Sequence, residues 1–139
     1  MKLLLVGGPP STGKTTIIQR VIEKRKDTYK IAYLKMDVVT AHEEALIKEK
    51  YGINARTVYA GDLCPDHAEV MIISDAIKWA ESINADLLII ESAGLCLRCS
   101  PYLNQGLGVV VLSMLSGLHS VDKMKQLICF ADVALLTMN

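Results

Sequence analysis

The sequence predicts an α/β fold, a three-layer sandwich around a mostly parallel central sheet, and three observations carry that prediction. Short apolar runs alternate along the chain with longer amphipathic ones, the rhythm of buried strands and their crossover helices. A glycine-rich turn joins the first apolar run to the first amphipathic one. The length of 139 residues, 51% of them hydrophobic, suits a single domain over 1–139 with one packed interior.

Residues 2–6 read as the first strand and 14–26 as the first helix, with Ile17, Ile18, Val21 and Ile22 on its inward face. A second strand over 30–35 leads through Asp37 to a helix over about 41–51, which Gly52 ends. Residues 55–59 form a further short strand. The longest helix opens on Pro65, a residue suited to the first helical position, and carries Val70, Ile73, Ile77 and Ala80 at helical spacing down to about Ile83. "DLLIIE" (86–91), "GVVVLSM" (108–114) and "DVALLT" (132–137) read as buried strands, with a helix over about 121–130 before the last. Cys129 is expected in the core on that helix. The chain reaches Asn139 directly after what reads as a central strand, so the C-terminal part of the fold is expected to be missing from a truncated or incompletely represented chain.

Charge and cysteine usage narrow the partners. Lysine plus arginine balances aspartate plus glutamate at 15 each, so no bulk positive field attracts nucleic acid. Four apolar residues between Lys2 and Gly7 are too few for the core of a signal peptide, and the uncharged stretch from Cys99 to Leu118 holds Pro101, Asn104, Gln105 and three glycines, a poor membrane span. A soluble cytoplasmic protein is the natural reading, with its four cysteines as thiols available for metal or redox chemistry.

The turn itself, Gly8-Pro-Pro-Ser-Thr-Gly13-Lys14-Thr15, satisfies the phosphate-loop pattern GxxxxGK[ST] in the required place between a strand and a helix, which makes the fold that of a P-loop NTPase. Glycines let backbone N–H groups turn inward around a phosphate, and the helix N-terminus adds positive partial charge. Lys14 reaches the β- and γ-phosphates and Thr15 offers a hydroxyl to Mg²⁺. The nucleotide site thus runs from Gly8 through Ser11, Thr12, Gly13, Lys14 and Thr15 to Thr16.

Groups that sense a γ-phosphate belong where the strands end beside this loop. Asp37 follows the second strand, with Thr40 three residues on; either is placed to reach Mg²⁺ or orient a water, although Thr40-Ala-His-Glu43 also reads as a capping box. Glu91-Ser-Ala-Gly94 closes the strand "LLIIE" as a variant of the Asp-x-x-Gly element, with the Glu91 carboxylate on Mg²⁺ through water and the Gly94 N–H toward the γ-phosphate. The catalytic set is therefore Lys14, Asp37, Glu91 and Gly94, and Thr15, Asp37 and Glu91 are the magnesium set.

Cys64-Pro-Asp-His67 and Cys96-Leu-Arg-Cys99 are two ligand pairs with two-residue gaps, 28 residues apart, the stoichiometry of a closed Cys₃His site. Such ligands suit Zn²⁺ in a tetrahedral arrangement or Ni²⁺ in a planar one. A structural zinc, a redox-active CxxC and unpartnered cysteines remain alternative readings. His42 and His119 have no partner at ligand spacing and read as surface or cap residues; Arg98 reads as an ordinary loop arginine.

Taken together these residues resemble a known family, the metal-insertion GTPases of hydrogenase and urease maturation, the HypB and UreG group of the SIMIBI class. The likeness rests on the phosphate loop Gly8 to Thr16; on "MDVVT" (36–40), similar to the family's switch I; and on "AGDLCPDH" (60–67), similar to its Gly-Cys-His or Cys-Pro-His metal motif. "ESAGLCLRCSP" (91–101) looks like its switch II, and "ADVALLTMN" (131–139) like the strand leading into Asn-Lys-x-Asp. The resemblance implies GTP with Mg²⁺ as cofactor, Cys64 and His67 as metal ligands, Asn139 as the start of the guanine motif, a homodimer, and nickel handed to a client metalloenzyme or its accessory protein. The chain departs from the pattern at Asp66, inserted before His67, at Leu95 in place of an asparagine, and in the thiol-rich Cys96/Cys99 pair.

The leading expectation is a GTP-hydrolysing metallochaperone whose nucleotide state controls binding and delivery of nickel or zinc. One rival is a P-loop small-molecule kinase or ATPase with a structural zinc; another is a noncatalytic nucleotide-binding module.

Overall fold

The computed structural model describes residues 1–37, 43–59, 65–92 and 102–138, with the side chains of 43, 65–71, 118 and 120 left out of the description. Its elements are β1 (Lys2–Gly7), α1 (Lys14–Arg25), β2 (Ile31–Asp37), α2 (Glu43–Tyr51), β3 (Asn54–Tyr59), α3 (Pro65–Ser82), β4 (Leu87–Ser92), β5 (Leu107–Ser113), α4 (Leu118–Lys123), α5 (Lys125–Cys129) and β6 (Val133–Thr137). A single 3₁₀ turn, Met114–Ser116, precedes α4.

The six strands form one sheet in the order β3-β2-β4-β1-β5-β6, and every pairing is parallel. Side chains alternate between its faces, and both faces are covered, so the inner strands are apolar along their whole length. On one face Val6, Tyr33, Ile89 and Val111 pack with Ile18 and Ile22 of α1 and Ile47 of α2. On the other, Leu3, Leu5, Leu34, Leu88 and Ile90 pack with Ile73, Ala76 and Ala80 of α3, while Val110 and Leu112 meet Met124 and Leu127. Each fully buried leucine or isoleucine contributes roughly 1.5–3 kcal/mol. This is the three-layer α/β sandwich that the alternation of apolar runs predicts.

The strand order positions the site. From β1 the chain crosses by way of α1 to β2, leaving a gap that β4 fills; from β4 it crosses to β5 on the other side of β1. Connections thus leave in opposite directions at the C-terminal ends of β1 and β4, the crevice where open α/β sheets bind their ligands. At the opposite edge the strands are tied by backbone bonds, Lys2 N–H to the Asp86 carbonyl at 2.7 Å and Asp86 N–H to the Lys30 carbonyl at 2.8 Å.

Two expectations are corrected. Among the described residues "DVALLT" is exposed rather than buried: β6 pairs with β5 on one side, and Leu136 is 67% exposed. Cys129 is exposed rather than in the core, because the expected single helix breaks at Met124, where φ is −108° and ψ 15°. The break resets the helical phase, so that Met124 and Leu127 point inward and the cysteine does not.

Candidate functional site

The loop between β1 and α1 is shaped by backbone constraints. Gly8 has φ 137° and Gly13 φ 86°, and Ser11 lies in the left-handed region at φ 58°. A Cβ at Gly8 would sit 2.2 Å from the Val111 carbonyl oxygen of β5, so only glycine lets the loop run this close to the sheet. Thr12 donates its hydroxyl to the Pro9 carbonyl at 2.9 Å, and the Thr137 hydroxyl of β6 donates to the Thr12 carbonyl at 2.8 Å. The loop is therefore closed on itself and pinned to the far strand.

Helix α1 starts at this loop with no side-chain cap and no acidic residue in its first turn. Its N-terminal N–H groups keep their positive partial charge uncompensated by side chains, which favours an anion there. Lys14 is 7% exposed and donates to the carbonyls of Gly8 at 3.0 Å and Pro9 at 2.7 Å, which leaves one of its three ammonium donors for a phosphate oxygen. Burial pushes its pKa below the ordinary lysine value; Glu91 opposes that shift, Lys35 adds to it and Asp37 opposes it.

Glu91 closes β4 at 3% exposure, next to Val6 of β1 and Lys35 of β2 in the strand registers. Both of its oxygens are held. Thr15 Oγ1 donates to Oε1 at 2.8 Å, and the Tyr33 hydroxyl donates to Oε2 at 2.6 Å. Two of the three groups expected to serve a magnesium ion, the Thr15 hydroxyl and the Glu91 carboxylate, thus face each other directly. Hard oxygen donors of this kind fit Mg²⁺, and the glycine-lined loop beside them fits a phosphate chain. Asp37 ends β2 at the same edge, with Lys35 Nζ 3.7 Å from its Oδ2.

The structure so brings together Gly8, Ser11, Thr12, Gly13, Lys14, Thr15, Thr16, Asp37 and Glu91 at one edge of the sheet. Thr40, His42, Cys64, Gly94, Cys96, Arg98, Cys99 and Asn139 lie outside the described residues, as does the side chain of His67, whose backbone is in the first turns of α3. Among the described residues no cluster of three metal-ligating side chains occurs, and no helix is long and apolar enough to cross a membrane. His119 is exposed, as expected of a surface residue.

Sequence reasoning missed two residues here, Tyr33 and Lys35. Their signal was present as polar atoms in "IAYLKMD" at two-residue spacing with Asp37, which places all three on one face of β2. Tyr33→Phe removes a buried hydrogen bond to a carboxylate and is expected to lower stability in urea denaturation by roughly 1.5–3 kcal/mol. A change below about 0.5 kcal/mol, within the range of neutral surface substitutions, would mean that Tyr33 does not hold Glu91.

An all-parallel sheet with a phosphate loop after β1 and a carboxylate at the end of the adjacent β4 defines the class of P-loop nucleotide-binding proteins. Residues 2–137 match the family model of the CobW/HypB/UreG nucleotide-binding domain, and the chain belongs to that family. It is 33% identical over 138 residues to an uncharacterized protein of Methanocaldococcus jannaschii, covering 99% of this chain and 58% of that one. It is 30% identical over 131 residues to the probable hydrogenase maturation factor HypB of the same organism, covering 93% of this chain and 58% of the relative. Among solved structures it resembles HypB from Helicobacter pylori in complex with nickel, with a TM-score of 0.71 and 25% identity over 96% of this chain and 63% of that one. The chain thus spans just under three-fifths of the length of the curated relatives described here.

Proposed function

We propose that this chain is a GTP-hydrolysing metallochaperone domain in which the nucleotide state governs the binding and release of nickel or zinc. The observation that carries this reading is the bond between Thr15 of the phosphate loop and Glu91 at the start of the segment that runs to Cys96 and Cys99. Thr15 and Glu91 would hold Mg²⁺ together with a bound nucleotide, and the stretch of sequence that begins at Glu91 also carries Cys96 and Cys99, so one segment would answer to both nucleotide and metal.

In this reading the loop from Gly8 to Thr16 holds the phosphates, Lys14 bridges the β- and γ-phosphates, and Thr15, Asp37 and Glu91 serve Mg²⁺. Bound Mg²⁺ supplies charge neutralisation at the phosphates and fixes their geometry. Gly94 senses the γ-phosphate, and Asn139 opens the guanine site. Cys64, His67, Cys96 and Cys99 hold the transferred metal, which is cargo for a client metalloenzyme or its accessory protein, and two copies meet through their active edges. The family, the relative described as a probable hydrogenase maturation factor, and the nickel complex of the H. pylori neighbour support this assignment. The proposed location is the cytoplasm.

A titration of Ni²⁺ and Zn²⁺ with Mg·GTP, with Mg·GDP and without nucleotide tests the coupling. The expected result is a shift of about tenfold or more between nucleotide states, about 1.4 kcal/mol of coupling, and collapse of metal affinity in Cys96→Ser. Zinc affinity that is tight and indifferent to nucleotide would make the quartet a structural clip and overturn metal delivery.

A further inference from the structure

The peptide that joins Thr12 to Gly13 is held by a residue far along the chain. Its carbonyl accepts the Thr137 hydroxyl at 2.8 Å, across a separation of 125 positions. The Thr12 side chain is fixed as well: it is 1% exposed, and its hydroxyl donates to the Pro9 carbonyl at 2.9 Å. Thr137 ends β6 in register with Ser113 of β5, and its hydroxyl also lies 3.2 Å from the Leu112 carbonyl. A hydroxyl has one proton to donate, and the shorter of the two contacts goes to the loop.

That contact decides which way a second group points. A trans peptide is planar, so its C=O and N–H face in opposite directions. With the Thr12 carbonyl turned to β6, the Gly13 N–H faces away from that strand. Without a tie this unit rotates at little cost, because Gly13 has φ 86° and glycine takes either sign of φ. A half-turn of the peptide would put the carbonyl oxygen, a partial negative charge, where the N–H now stands, next to the start of α1. An anion at the helix N-terminus is attracted by the first arrangement and repelled by the second.

We propose that Thr137 is a positioning residue of the phosphate loop, whose hydroxyl locks the Thr12–Gly13 peptide with the Gly13 N–H turned to the β-phosphate of a bound nucleotide. The proposal rests on the nucleotide-binding reading above and deepens it by giving β6 a part in phosphate binding. The β-phosphate is common to diphosphate and triphosphate, so the lock serves both equally. Thr137 acts through the loop, by keeping it in its binding form before the ligand arrives, so that binding does not have to supply that ordering.

The test compares affinities for Mg·GDP and for the non-hydrolysable βγ-imido analogue of Mg·GTP, by calorimetry, in the wild type, Thr137→Val and Thr137→Ser. Valine has the shape of threonine and suits a strand but has no donor; serine keeps the donor. Affinity for both nucleotides is expected to fall together by about tenfold in Thr137→Val, as the fraction of chains with a binding-competent loop falls, and to stay within about threefold of wild type in Thr137→Ser. Affinity unchanged in Thr137→Val, an equal loss in Thr137→Ser, or a loss confined to the triphosphate would each overturn the assignment and leave nucleotide binding itself intact. A wild type that binds neither nucleotide would instead remove the underlying reading and this proposal with it. A second measurement needs no substitution and separates a locked peptide from a merely stable strand. The Gly13 amide NMR signal of the nucleotide-free wild type is expected to be single and sharp, and to move on adding Mg·GDP. A doubled or exchange-broadened Gly13 signal before nucleotide is added, or no movement on binding, would contradict the assignment.

Discussion

Lys14→Met is expected to weaken binding of Mg·GTP and Mg·GDP by at least a hundredfold while leaving the nucleotide-free fold as stable as before or more so. The two halves of that result have one cause. The ammonium is held beside the loop by the Gly8 and Pro9 carbonyls at 3.0 and 2.7 Å, with one donor left for phosphate. Charge-assisted hydrogen bonds contribute roughly 1.5–3 kcal/mol each, and the pairing of a buried charge adds to that. In the free protein the same charge is a burden, since burial lowers its pKa from the ordinary 10.5. The sign of the linkage follows. With the folded pKa below the unfolded one, the unfolded chain binds more protons between the two, so the contribution of Lys14 raises stability as pH climbs through its folded pKa toward 10.5. Comparing urea unfolding across that window in wild type and Lys14→Met isolates this slope; an equal slope in both would show that Lys14 is not the group responsible.

Gly8→Ala is expected to be nearly as damaging to binding and, unlike the lysine change, damaging to the fold. The added Cβ meets a backbone oxygen at 2.2 Å, and neither the Val111 carbonyl nor the strand that bears it can rotate away without opening the β1–β5 pairing. Backbone strain of the left-handed kind costs on the order of 1–3 kcal/mol, and the steric overlap comes on top of it. Gly52→Ala is the matched control. Its φ of 66° has the same sign, but nothing lies within 4 Å of the added atom, so only the conformational cost remains, about 1 kcal/mol. If the two alanines destabilise equally in denaturant titration, the close approach of the loop to β5 is not what Gly8 secures.

Local chemistry made much of this molecule legible in its sequence. Each apolar run became a strand because a parallel sheet buries both faces, and GxxxxGK[ST] required no partner beyond the strand before it and the helix after it. Glu91 stood out because a carboxylate ending "LLIIE" has little reason to be there structurally. The readings that failed depended on long-range or interrupted geometry. That Lys35 lies beside Glu91 follows from β4 inserting between β1 and β2, an order that no local pattern encodes. The exposure of Cys129 follows from a helix break at Met124 which hydropathy does not mark.

The central claim is that the loop, Glu91 and Lys14 form a working Mg·GTP site. Calorimetric titration of the wild-type chain with Mg·GTP and Mg·ATP, followed by release of inorganic phosphate under single-turnover conditions, tests it most directly. The account predicts one nucleotide per chain, binding that weakens when Mg²⁺ is removed, a preference for GTP, and slow cleavage on the order of 10⁻⁴–10⁻² per second, as for P-loop switches that lack a supplied arginine. No binding of either nucleotide, or tight binding of GTP with no cleavage and no dependence on Mg²⁺, would contradict it.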